Sequence, residues 1–342
     1  MLQDTEYSSL CLREYEPGDE EAILAAYGRA APGSGPASRA RDLAAWRWRF
    51  LENPAGWRLW LALRESGELA GLVAGTGQRV LVDGEPHRCS QVVDALVEEP
   101  YAGALGNPGL FVRVARGYAE RYGGPPPEGD TLVWGFPVPP FWRVGYARLK
   151  SAVVRTQFKL SCPLERLRLD AAPGVAVEEV ERFPDAVVEL FGRAADGAGV
   201  IAVRDAEHLN WRFADRPDAS YSLALARRGP ELCGLAVFRA GELDGERDQG
   251  LICDWLVAPG DGAAAAALWA WLAERARAAG TANLVALLPE TAPDWHAFQR
   301  AGFLALRLRE RFLLATRSFV KRYRMRWLYE RWRYTLGDTD LC

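Results

Sequence analysis

Trp48-Arg49-Phe50, followed by Glu52 and Pro54, recurs as Trp211-Arg212-Phe213, followed by Asp215 and Pro217, at an offset of 163 residues. The same offset carries Glu68-Leu69-Ala70-Gly71-Leu72 onto Glu231-Leu232-Cys233-Gly234-Leu235. Val93-Asp94-Ala95-Leu96-Val97 then matches Cys253-Asp254-Trp255-Leu256-Val257 at an offset of 160. Gly109 to Gly123 matches Ala266 to Gly280, and Phe141-Trp142-Arg143-Val144-Gly145-Tyr146 matches Phe298-Gln299-Arg300-Ala301-Gly302-Phe303, both at 157. The small drift falls between elements, where loops tolerate a change of length. Amphipathic fragments that recur by accident have no reason to stay collinear, so the chain reads as an internal duplication.

The 342 residues of the chain fit two domains of ordinary size, and the repeat divides them into 1–162 and 175–316, with 317–342 as a basic aromatic tail. The joint lies within Cys162 to Gly174, where Pro163 and Ala171-Ala172-Pro173-Gly174 interrupt regular structure. Within one copy, Leu10 to Tyr15 is strand-like and Pro17-Gly18-Asp19 turns it into a helix from Glu20 to about Ala31. A second helix spans Ser38 to Leu51. Leu59 to Arg64, Glu68 to Thr76 and Arg79 to Val82 read as antiparallel strands, and Gln91 to Val97 as another. A glycine-rich stretch, Pro100 to Gly109, leads into a long helix to about Tyr122, followed by a buried-type strand, Thr131 to Phe136. The second copy repeats the order, ending with Asn283 to Leu288 as a strand, Trp295 to Ala301 as a helix and Leu304 to Ala315 as an extended stretch. Alternating strands and helices of this kind predict a mixed α/β fold.

A formal net charge of -3 gives no global pull toward nucleic acid. Only Lys150, Lys159 and Lys321 among the 42 basic residues are lysine, a bias that reads as a GC-rich bacterial genome. The cysteines have neither CxxC nor Cys/His ligand spacing, so reduced thiols and no metal are expected. The longest apolar run, Gly262 to Ala273, is too short to span a bilayer, and a cytoplasmic protein is the expectation.

Leu12-Arg13-Glu14-Tyr15-x-Pro17-Gly18-Asp19 near the start, Arg143-Val144-Gly145-Tyr146 and Arg300-Ala301-Gly302-Phe303 near the two ends, and the element order between them resemble the Gcn5-related N-acetyltransferase (GNAT) superfamily. The resemblance covers roughly Leu10 to Leu160 and Val175 to Ala315. It implies two tandem GNAT-like domains, each a central mixed sheet flanked by helices, and acyl transfer from acetyl-CoA or another acyl-CoA to a small-molecule amine. In that family a V-x-P-x-x-R-x-x-G-x-G/A loop before the central helix binds the pyrophosphate. A helix start offers unpaired N–H donors and a positive dipole end, and glycines let the backbone approach closely. Carried over, the cofactor candidates are Leu96, Val97, Gly103, Ala104, Gly106, Asn107 and Gly109, with Ala102 where the family has its arginine. The second copy offers Val257, Pro259, Gly260 and Gly262, and its Asp261 would repel phosphate. The first copy is therefore the better cofactor candidate. Decayed loops on a non-catalytic binding protein, and a Fem-like aminoacyl transferase, are the competing readings.

Acyl transfer needs a base for the amine, donors for the oxyanion and a proton for the thiolate. Asp94, Glu98 and Glu99 lie on or just beyond the strand that would carry the base, although the match of Asp94 to Asp254 points to a structural role shared by both copies. Tyr101 is the nearest phenol for the acid. His87, His208 and His296 stand apart from any nucleophile and read as surface or turn residues. Arg317 to Arg333 carries seven basic residues among five aromatics, which reads as a packed helix, with an interfacial or polyanion contact as the alternative.

Overall fold

The computed structural model describes residues 9–29, 42–98, 101, 109–137, 139–308 and 312–341. They form two units, each with its own sheet.

The first unit contains β1 (Cys11–Glu14), α1 (Glu20–Arg29), α2 (Leu43–Phe50), β2 (Trp57–Leu63), β3 (Leu69–Val82), β4 (Glu85–Val97), α3 (Gly109–Tyr122), β5 (Asp130–Gly135), α4 (Pro139–Arg148) and β6 (Ala152–Thr156). Alternate residues of β2, Leu59, Leu61 and Leu63, face α1 and α2, where they pack with Ile23, Tyr27, Trp46 and Phe50. On the opposite face Leu110, Val114, Tyr118 and Tyr122 form one stripe of α3, at the i, i+4 spacing that a helix needs to bury a single side. β1 to β4 are sequential neighbours, whereas β4 and β5 run parallel because α3 returns the chain between them.

The second unit contains β7 (Phe158–Pro163), β8 (Ala176–Val180), α5 (Val187–Ala194), β9 (Val200–Ala202), α6 (Ala206–Leu209, continued by a wider turn to Ala214), β10 (Ser222–Arg228), β11 (Glu231–Leu243), β12 (Glu246–Val257), α7 (Gly262–Ala278), β13 (Asn283–Ala286), α8 (Trp295–Ala301) and β14 (Leu304–Arg307). Its core centres on Trp255 and Trp269, stacked at 4.3 Å, with Leu268 and Leu272 of α7 and Phe298 of α8. The chain ends through β15 (Leu313–Ser318), α9 (Met325–Arg331) and a 3-10 turn, Leu336–Asp338.

The two sheets exchange strands. The first runs β1-β2-β3-β4-β5-β15-β6 and the second β14-β7-β13-β12-β11-β10-β8. The strand that closes each copy in sequence therefore completes the other copy's sheet, and the boundaries 1–162 and 175–316 are both crossed in space. One cause is local. Only Gln157 separates β6 from β7, and a tight hairpin needs about two residues in its loop, so the chain runs straight on into the second sheet. There the Gln157 side-chain amide donates to the Leu288 carbonyl (2.8 Å) and its backbone N–H to Phe312 O (2.8 Å).

The extended stretch expected over Leu304 to Ala315 is two strands in different sheets, β14 and β15. The helix expected over Arg317 to Arg333 is confined to α9, because its first residues belong to β15 and Trp332 and Tyr334 are buried beyond its end. His87 is buried rather than superficial, its Nδ1 lying 2.8 Å from Thr131 Oγ1. No helix among the described residues is long and apolar enough to cross a membrane.

Candidate active site

Each sheet has a point where two parallel strands stop pairing. The β4–β5 ladder covers Arg88 to Gln91 of β4, which then continues to Val97. The β12–β13 ladder covers Gly250 to Ile252, and β12 continues to Val257. The carboxyl ends of parallel strands, in front of a helix amino terminus, are where open α/β sheets take their ligands. Both long strands are also irregular just past their ladders. The β11–β12 register skips Cys253. In β4 both Val92 and Ala95 pack toward α3, while Val93 and Leu96 pack toward α1 and α2. One extra residue of this kind re-aims the side chains that follow it. Those residues are Asp94 and Asp254.

The two aspartates are equally buried, at 2% exposure each, but differently satisfied. Asp254 accepts from Arg204 Nε (3.3 Å) and Nη2 (3.4 Å), from Thr335 Oγ1 (2.9 Å) and from the Trp255 backbone N–H (2.9 Å). Arg204 also pairs with Asp338. Arg212 donates from Nε to Gly337 O (2.9 Å) and from Nη2 to Thr339 O (3.1 Å). A Cβ on Gly337 would lie 2.7 Å from Cys253 O, so only glycine lets the tail approach β12 this closely. Residues 335–339 thus fill the second unit's crevice at the end of its ladder.

In the first unit Asp94 Oδ2 accepts from the Tyr27 hydroxyl (2.9 Å), and its buried Oδ1 has no hydrogen-bond partner among the described residues. Burial pushes the Asp94 carboxyl above the ordinary carboxylate range, with Arg49 and the Tyr27 hydrogen bond pulling the other way. Arg49 is the repeat equivalent of Arg212 and is half-exposed.

The helix starts differ as well. Asp261 caps α7 by accepting from the Ala264 N–H (2.9 Å) and pairs with Arg228 (2.8 Å), which holds its carboxyl below the ordinary range. That helix start already carries its own anion. α3 begins at Gly109, whose φ of 57° lies in the left-handed region that glycine adopts without strain.

No protein-family model matches the chain, and no curated protein sequence matches it. Solved structures do. A GCN5-related N-acetyltransferase from Anabaena variabilis superposes with a TM-score of 0.64 at 12% identity, covering 91% of this chain and 73% of that one. A GCN5-related N-acetyltransferase from Kribbella flavida gives 0.60 at 17%, covering 92% and 72%. A tandem GNAT protein from the clavulanic acid biosynthesis pathway gives 0.55 at 17%, covering 91% of this chain and 99% of its own. The chain carries the tandem GNAT fold.

Within this tandem GNAT frame, Leu96 is buried against α1 and α2, Val97 is half-buried toward α3, and Gly109 opens that helix. Gly103, Ala104, Gly106 and Asn107 lie outside the described residues. Glu98, just past β4, bridges Arg29 (2.7 Å) and Arg64 (3.2 Å). The Arg64 guanidinium lies over the Tyr101 ring, 5.5 Å from its centroid. Glu98 and Tyr101 are thus tied into an arginine network at the strand's end, while Asp94 stands apart with Tyr27. Tyr27 and Arg204 are singled out by no motif in the sequence. One signal was there: the offset of 163 also superposes Arg41-Asp42 on Arg204-Asp205. Arg41 lies outside the described residues.

Proposed function

We propose that the protein is an acyl-CoA-dependent N-acyltransferase whose donor and acceptor meet at the first copy. The observation that carries this reading is the contrast between the crevices. The second is filled by the chain's own residues 335–339, with Asp254 clamped by Arg204 and Thr335. In the first, Asp94 keeps an oxygen buried and without a hydrogen-bond partner among the described residues. The proteins whose structures it resembles are N-acetyltransferases by name.

The first copy fits an acyl-CoA. Residues 93–97 run past the last β5 partner and offer backbone N–H groups to an amide-bearing chain or a thioester oxygen, and the dipole of α3 favours phosphate at its amino end. The α7 start, capped by Asp261, does not fit. When bound, the cofactor supplies an activated acyl group on a thioester. Asp94 takes a proton from the attacking amine, and its raised pKa strengthens it as a base. The bound thioester would pass its acyl group to the amine nitrogen, and the proton that Asp94 holds would be returned to the leaving sulfur as free thiol. Tyr27 holds the carboxylate in place from its other oxygen. The second copy serves as scaffold.

Calorimetric titration of the purified chain with acetyl-CoA tests this reading. One equivalent bound in the micromolar range is expected. No heat in either direction, or two equivalents, overturns it.

A further inference from the structure

The duplication gives the first crevice an internal template. In the second unit, the residues matching Asp94 and Arg49 grip a stretch of polypeptide. Asp254 takes a hydrogen bond from a hydroxyl, Thr335 Oγ1, at 2.9 Å. The Arg212 guanidinium donates to two peptide carbonyls, Gly337 O at 2.9 Å and Thr339 O at 3.1 Å. The gripped stretch thus presents one small donor to the aspartate and, two and four residues on, carbonyls to the arginine. A guanidinium has donors in a fixed fork, which suits paired carbonyl oxygens, and a carboxylate can only accept.

The first unit keeps this pair. Asp94 and Arg49 hold the matching positions, Asp94 on β4 and Arg49 on α2, flanked by the same tryptophan and phenylalanine. Among the described residues Asp94 Oδ1 lacks a partner despite 2% exposure, and a buried carboxylate oxygen left unsatisfied loses its hydration with nothing in return. Native proteins keep few such groups, and each needs a reason.

We infer that the acceptor is a short peptide with a free terminal amine, bound with the amine on Asp94 and its carbonyl oxygens on Arg49, as residues 335–339 are bound on Asp254 and Arg212. This rests on the acyl-transfer reading only for the fate of the amine; the binding itself does not need it. The tail supplies the probe. Thr-Leu-Gly-Asp-Thr, with a free amino terminus, is titrated into the full chain by calorimetry, in parallel with butylamine and with acetyl-CoA. The peptide is expected to bind the wild type, and butylamine, which has no carbonyl, to give no measurable heat. Arg49→Ala and Arg49→Lys should each weaken the peptide at least tenfold while leaving the affinity for acetyl-CoA unchanged, which also shows that both variants are folded. Equal peptide affinity in wild type and Arg49→Ala overturns the inference, since the peptide would then be bound elsewhere, for instance in place of the tail. So does butylamine binding as well as the peptide, or no peptide binding at all. Loss of acetyl-CoA binding by the wild type with peptide binding intact would overturn the acyl-transfer reading and leave this one standing.

Discussion

Asp94 and Asp254 occupy the same place in two copies of one module, yet one lies in a closed hydrogen-bond network and the other does not. Around Asp254 every strong group has a partner: Arg204 meets two carboxylates, Thr335 bridges, and Arg212 holds the backbone of residues 335–339. Around Asp94, among the described residues, the Tyr27 hydroxyl meets one oxygen and the other has no hydrogen-bond partner. Among the described residues the difference originates outside the duplicated module, in the tail residues that bond to Asp254 and Arg212. A carboxylate conserved between the copies for folding alone would be satisfied in both. Among the described residues, the first unit's aspartate keeps an oxygen without a donor where its counterpart in the second unit has one.

The most direct way to break this contrast is catalytic. Asp94→Asn should lower kcat/KM for thiol release from acetyl-CoA by about 10²–10⁴, the usual worth of a positioned base. Asp254→Asn, in protein that still folds, should stay within a few-fold of wild type. Equal losses would make the two aspartates alike and remove the assignment. The next largest effect is on stability. Arg204→Ala strands Asp254 and Asp338 in the interior, and breaking a buried pair in this way costs about 3–5 kcal/mol, read from chemical denaturation. Arg49→Ala, at a half-exposed site, should cost less than about 1 kcal/mol. Comparable losses would mean that Arg49 is as structural as its counterpart.

How much of this could be read in advance follows the range of the interactions. The duplication was legible because a hydrophobic period and a few bulky anchors, such as Trp48 and Trp211, survive in local sequence. α3 was likewise legible close to its bounds, Gly109–Tyr122. The strand exchange was not, since a period-two pattern such as Phe158–Pro163 states which face is buried but not whose sheet it joins. The Asp254 clamp joins Arg204, Thr335 and Asp338 across 50 to 134 residues of chain, and no spacing rule reaches that far. The site was half legible for the same reason. Asp94 could be placed on its strand, but the tyrosine beside it is 67 residues away.

pH sharpens the contrast with opposite signs. Burial raises the Asp94 pKa in the folded chain, so its contribution to stability is present below the unfolded value near 4 and is lost as pH rises through the raised one. Asp94→Asn should therefore gain on wild type in thermal stability as pH rises from 4 toward 8. Asp261, held low by Arg228, behaves the other way: its contribution is present above the unfolded value and lost as pH falls through the folded one. Asp261→Asn should lose ground to wild type at lower pH, as pH rises from the depressed folded value to about 5, and run parallel to it above that. Parallel curves for the two variants would refute both environments.

The smallest effect asks whether the copies still behave alike where function has not separated them. Asp42 and Asp205, 163 residues apart, cap α2 and α6. Asp205 accepts from the His208 N–H at 2.9 Å, whereas Asp42 accepts from the Ala45 N–H at 3.4 Å. Losing an aspartate cap costs about 0.5–2 kcal/mol, and a longer hydrogen bond is a weaker one. Asp205→Ala should thus fall near the middle of that range and Asp42→Ala at its lower end, measured by denaturant unfolding. If the order reverses, α2 bears more of the first unit's stability than its geometry implies. Arg49, carried on that helix, would then be held for the fold, and its match to Arg212 would no longer speak for a ligand.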